Sequence, residues 1–154
     1  MIKKSIVFVI LLCLAGMIFG QEIGILEQLK SHLNQPVPAN AQRFGRTEYY
    51  RNIRSAETFS FDEWFEVSNN LVIMAGIKIS GDSFIVNRFF GEMFNILEPL
   101  GVPIIDDRKS AAWLNNAHLI VLLLTENKNN YLSEAGLHVF AKDDIELLKK
   151  IINR

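Results

Sequence analysis

Ser83, Asn127 and His138 are the residues of this chain whose types and order suit nucleophilic chemistry. Ser83 comes after an apolar run, Leu71 to Ile79, and opens an apolar stretch at helical spacing. The pattern therefore puts it between a strand and a helix. A serine there becomes a nucleophile when an imidazole takes its proton. The free amides of a helix N-terminus also help to hold a developing oxyanion. The same position suits a helix cap, in which the oxygen of Asp82 or Ser83 accepts from an amide of the first turn. The cap needs only local geometry, and it is the favoured reading.

Three short stretches, in order, resemble the GDSL or SGNH hydrolases. Gly81-Asp82-Ser83-Phe84 follows a strand, as that family's serine block does. LIVLLLTENK is similar to its strand and Gly-x-Asn-Asp block, with Asn127 at the oxyanion-hole asparagine. The stretch from Ala135 looks like its terminal Asp-x-x-His block, with His138 as the base. The resemblance implies a small serine esterase. Two positions depart from the pattern: Ala135 replaces the aspartate three before His138, and Thr125 replaces the glycine of the asparagine block. A second stretch, EMFNILEPLGVPIIDDRKSAAWL, is similar to the helix–strand–helix segment of curli-secretion-type envelope assembly domains. Asp107, Arg108 and Leu114 are its matching positions, and this resemblance implies a module that binds a partner without catalysis.

Arg43, Arg46, Arg51 and Arg54 interleave with Phe44, Tyr49 and Tyr50. Arginine grips carboxylate and phosphate with a planar fork, and it is frequent with aromatics where binding energy concentrates. Ala39 to Arg54 follows Pro36 and Pro38 and reads as a loop or mobile segment,. The expected partner is an acidic envelope component or a protein. Asp106-Asp107 reads as a solvated turn. His32 and His118 have no second ligand at metal-site spacing, and no Gly-rich phosphate loop occurs,. The sequence therefore asks for no metal or cofactor.

The elements that position these residues begin beyond a leader. Lys3 and Lys4 precede an uncharged run from Ile6 to Phe19, which is short beside the ~20 residues of a membrane helix,. A basic start, a short apolar middle and Gly20 describe a secretory signal peptide, with an exported mature chain beginning at Gln21. Its removal takes Cys13, the single cysteine, so the exported chain forms no disulfide. Sixteen Lys and Arg less Lys3 and Lys4 leaves 14 against 17 acids, a net of −3, which exerts no general pull on nucleic acid or an anionic membrane,.

Glu22 to Leu33 has the stripe of an amphipathic helix. Residues 21–54 are read as this helix and the basic segment, and 55–154 as the folded domain. Ser60-Phe61-Asp62-Glu63 has the spacing of a capping box and predicts a short helix to Val67. Asn69-Asn70 predicts a turn, Leu71 to Ile79 a strand covered on both faces, and Phe84 to Leu97 a buried helix ended by Pro99 and Gly101. Val102 to Asp106 reads as a strand, Lys109 to Asn115 as a short helix, and Ala117 to Glu126 and Gly136 to Phe140 as strands. Asp143 opens a terminal helix. Strands alternating with helices imply a three-layer α/β domain with a mostly parallel sheet of about four strands. The alternative is an α+β domain in which Leu119 to Leu124 is helical.

Overall fold

The computed structural model describes residues 24–115, 117–126 and 132–141. Its strands form one eight-stranded sheet, and every pairing in it is antiparallel. This overturns the parallel α/β expectation, and it removes the helix that the α+β alternative placed at Leu119 to Leu124, since that stretch lies inside a strand.

Helix α1 (Gly24–His32) leads to β1 (Gln42–Arg43), β2 (Glu48–Ala56), β3 (Phe59–Ser68) and β4 (Leu71–Asp82). Helix α2 (Ser83–Leu97) and a 3-10 turn (Glu98–Leu100) follow. Strands β5 (Ile105–Asp106), β6 (Ser110–Leu114), β7 (His118–Glu126) and β8 (Leu132–Ala141) complete the described chain. The spatial order is β1-β2-β3-β4-β8-β7-β6-β5. Two meanders thus meet at the β4–β8 pair, and α2 carries the chain from the middle of the sheet to its far edge. Both edge strands are two residues long, which leaves little exposed backbone for another chain to pair with,.

The stretch read as a short helix from Ser60 is β3. Phe59, Phe61, Glu63, Phe65 and Val67 alternate with Ser60, Asp62, Trp64, Glu66 and Ser68. That period of two puts three phenylalanines on one face of a strand,. Asn69 and Asn70 take φ of 50° and 64° and close the β3–β4 hairpin in the left-handed conformation such two-residue turns require,. The stretch read as a helix from Lys109 is β6, in which small Ala111 and Ala112 lie beside the long β7. The helix–strand–helix segment behind the assembly-domain resemblance is therefore a helix followed by two strands. The stretch read as a loop, Ala39 to Arg54, contains β1 and most of β2.

Both helices pack on one face of the sheet. Leu26, Leu29 and Leu33, with Val86, Phe89, Met93 and Leu97 of α2, join Phe61, Phe65, Ile77, Leu122 and Leu137 in the main core. Phe61 meets Phe89 edge to face at 5.9 Å between ring centres, and Trp113 donates Nε1–H to the Gly101 carbonyl at 3.0 Å. The opposite face carries a smaller apolar cluster of Ala112, Leu119, Val121 and Phe140. Unbroken apolar runs in β4 and β7 therefore report apolar surroundings on both faces and leave strand direction open. No helix among the described residues is long and apolar enough to cross a membrane.

Candidate functional site

The structure separates Ser83 from His138. Asp82 is the cap of α2, its Oδ1 accepting from the Phe84 amide at 2.8 Å. Ser83 is the first residue of α2, and its Oγ lies 2.7 Å from Ser133 Oγ. His138 is five residues further along β8 than Ser133, about 17 Å at strand rise,. An odd offset also puts the two side chains on opposite faces. Ser133 faces the helices, and His138 faces away from them. Ala135 points into the main core at 1 % exposure, and Glu134 shares the face of His138 four residues away. Asn127 lies outside the described residues.

The basic segment is divided by the same alternation. Tyr49 stands opposite Phe65 and packs on the main core, whereas Tyr50 stands opposite Trp64 on the other face. Arg51 returns to the helix face. Its Nε donates to Glu63 Oε2 at 2.9 Å, its Nη2 reaches the same oxygen, and Nη1 donates to Asn40 Oδ1 at 3.2 Å. Glu63 is 1 % exposed, and its Oε1 lies 3.2 Å from His32 Nε2 at the end of α1. A buried carboxylate of this kind needs its partners, so Arg51 is a structural residue. Arg43 turns back on its own loop, donating Nε–H to the Gly45 carbonyl and Nη2–H to the Arg46 carbonyl. Arg54 follows a register shift in β2 and stands opposite Phe61. Arg46 is exposed in the β1–β2 connection. By register Arg43, Arg51 and Arg54 stand opposite Tyr49, Glu63 and Phe61 on the helix face, where Glu63 holds Arg51 and its own loop holds Arg43.

The face turned from the helices does bring a set of side chains together. Tyr50 and Trp64 stack with ring centres 5.6 Å apart and planes at 26°. Phe44 meets Trp64 edge to face at 5.0 Å and Tyr50 at 6.2 Å, and remains 66 % exposed. Lys78 Nζ sits 4.0 Å from the Trp64 ring centre and 3.1 Å from Glu134 Oε1. An ammonium over an indole face is held by the negative potential of the ring. Tyr50 donates its hydroxyl to Gln42 Oε1 at 3.0 Å. Beside this group runs a polar network in which Asn52 Nδ2 and Ser60 Oγ both donate to the Asp62 carboxylate at 2.7 Å.

No family model matches the chain, and no curated protein or solved structure matches it.

Gly76 stands between Trp64 and His138 in one cross-strand row. A Cβ there would lie 2.6 Å from His138 Nδ1, so the imidazole occupies the space a side chain would take. Burial pushes the His138 pKa down to about 4, with the nearby Lys78 adding to the effect, so the ring is neutral at pH 7. His118 is also lowered, first by burial and then by Lys30. Asp107 is held below the ordinary carboxylate range by the Ser110 hydroxyl and the Lys109 amide, and it closes the β5–β6 turn. Among the described residues no cluster of three or more His, Cys, Asp or Glu is placed to hold a metal ion.

Trp64, Gly76 and Lys78 were not legible as site residues. The signal was present in the alternation of Phe59 to Ser68, which sends Trp64 to the face opposite Phe65.

Proposed function

We propose that this chain is an exported envelope protein that works by binding, through the Phe44–Tyr50–Trp64–Lys78 end of the sheet face turned from the helices. The observation that carries the reading is the aromatic group itself. Three rings in mutual contact, one of them two-thirds exposed, are held on paired strands beside a cation. Rigid aromatics on a sheet supply contact area at little cost in side-chain entropy, and a contiguous exposed apolar group on a small domain marks a contact site.

Export rests on Lys3-Lys4, the short apolar run and Gly20,. The partner is a component of the cell envelope. Arg46 is exposed in the β1–β2 connection that also carries Phe44 and favours acidic groups on the partner, so association weakens as salt rises,.

The test is sedimentation of the purified mature protein with isolated envelope fractions at low and high salt. The Phe44→Ala/Tyr50→Ala protein is run beside it after its fold has been checked by circular dichroism. The reading expects the native protein in the pellet and the double variant in the supernatant. Equal sedimentation of the two folded proteins would reject this face as the binding site.

A further inference from the structure

We infer that residues 142–154 dock as an amphipathic helix on the β6–β7–β8 half of the sheet face turned from α1 and α2, and close a second core there. The inference does not depend on the binding role of the aromatic group.

The observation that carries it is burial with no cover among the described residues. Ala112, Leu119, Val121 and Phe140 lie on that face at 2–4 % exposure. Met74, Ile105 and Leu123 pack against them. All seven belong to strands β4 to β8 of one sheet. Strand side chains stand up from the sheet, and neighbours in the same layer shade only their flanks. An apolar sheet face is buried by a second layer. Helices α1 and α2 lie on the other side, as do Val37 and Ala41, which pack on the main core, and Gly101, which meets Trp113. The far half of the same face shows what an open surface looks like here: Phe44 is two-thirds exposed, and Trp64 and Lys78 are partly so.

Three stretches could supply the cover. Residues 1–23 precede α1 on the other face, and on the export reading most of them leave with the signal peptide. Residues 127–131 join Glu126 to Leu132. Leu119, the partner of Phe140, is seven residues from that connection, roughly 23 Å at strand rise,. Residues 142–154 follow Ala141 directly, next to Phe140, and Ala141 pairs with His118 beside Leu119. They alone start at the buried cluster.

The sequence of this stretch fits the task. The helix read from Asp143 lies outside the described residues. Its Ile145, Leu148, Ile151 and Ile152 recur at spacings that make one apolar stripe, with Glu146, Lys150, Asn153 and Arg154 on the opposite side,. So short a helix is marginal alone in water and is held by packing its stripe. Twelve helical residues reach roughly 18 Å, and the four strands from β8 to β5 span roughly 14 Å.

The test is methyl nuclear Overhauser spectroscopy of the mature protein, Gln21 to Arg154. Cross-peaks should join at least two of Ile145, Leu148, Ile151 and Ile152 to the Leu119 and Val121 methyls or the Phe140 ring. In the full-length Ile145→Ser/Leu148→Ser variant these cross-peaks should be lost. The Leu119 and Val121 methyl signals should shift, while the Trp113 indole N–H stays in place. Stripe methyls that touch only one another, or that touch Leu122 and Leu137 of the helix side, overturn the inference. So do unchanged Leu119 and Val121 signals in a folded variant. Cross-peaks that arise only between molecules in a mixed-label sample would make a second copy the cover and overturn it as well. If the variant does not fold, the native cross-peaks decide.

Discussion

The imidazole of His138 takes the room of a side chain at Gly76: a Cβ placed there would lie 2.6 Å from Nδ1 and 2.8 Å from the Leu137 carbonyl oxygen. The second contact is backbone and cannot swing aside. Gly76→Ala should therefore destabilise the domain by about 1–3 kcal/mol, the usual cost of overpacking. Gly91→Ala is the control, because nothing lies within 4 Å of a Cβ at that helical glycine. Alanine there should stabilise by up to about 1 kcal/mol through helix propensity. Urea unfolding of the two variants measures both.

His138 should make stability depend on pH. Its pKa falls from the ordinary imidazole value of 6.5 to about 4 on folding. Between those values the unfolded chain binds a proton that the folded chain does not, so stability rises with pH. The contribution is complete above pH 6.5 and is lost as pH falls toward 4. The shift corresponds to at most about 3.5 kcal/mol, since each unit is worth about 1.4. Lys78, with Glu134 beyond it, faces the ring from β4 and β8. Comparing native and His138→Phe unfolding free energies at pH 4.5 and 7.5 isolates the term. Identical pH slopes in both proteins would show that His138 is protonated normally.

The Glu63 cluster ties α1 to the sheet. Arg51→Ala leaves a carboxylate at 1 % exposure with the His32 imidazole, 3.2 Å away, as its remaining polar neighbour. The expected loss is about 1–3 kcal/mol, or somewhat more because the stranded group is charged. Arg46→Ala, at an exposed arginine of the same segment, should stay within about 0.5 kcal/mol. Unfolding midpoints that shift equally would contradict the division drawn between these two arginines.

At the start of α2 the cap is Asp82. Asp82→Ala should cost about 0.5–2 kcal/mol. Ser83→Ala should cost about 0.5–1.5 kcal/mol for a different reason, the loss of the hydroxyl pair with Ser133, which is 5 % exposed,. Thermal unfolding measures both. Neither Ser83→Ala nor His138→Phe should remove any ester hydrolysis that the native protein shows, because the two side chains occupy opposite faces.

What the sequence disclosed followed from local signals. Both helices were legible within two residues because their apolar stripes have helical period, and β4, β7 and β8 were legible because their apolar runs are long. The misread segments were those in which two patterns overlap. Ser60-Phe61-Asp62-Glu63 satisfies a capping box and also a strand alternating by two, and only the continuation to Ser68 decides between them. The short Ala111-Ala112-Trp113 run suits either element, and its place beside β7 made it a strand. Those two false helices produced the alternating pattern from which a parallel sheet was inferred. At the site, Tyr50 and Phe44 were in view within the basic segment. The partners that complete the group come from β3 and β4, and pairing across strands is not written in any one stretch. The arginines do not act as one exposed group in the fold, because Arg51 is committed to Glu63 and Arg43 to the carbonyls of its own loop.

The two indole N–H signals in the proton–nitrogen spectrum give the most direct measurement. Trp113 Nε1 is already paired with the Gly101 carbonyl, and Trp64 Nε1 is unpaired on the opposite side of the sheet. Muramidase-solubilised peptidoglycan, as a component of the envelope, titrated into nitrogen-15-labelled protein should move the Trp64 signal, with the backbone amides of Phe44, Tyr50 and Lys78 moving alongside it. The Trp113 signal should stay where it is. A Trp64 signal that stays fixed while amides on the helix side or at the Leu100–Ile104 edge move would place binding elsewhere on the protein.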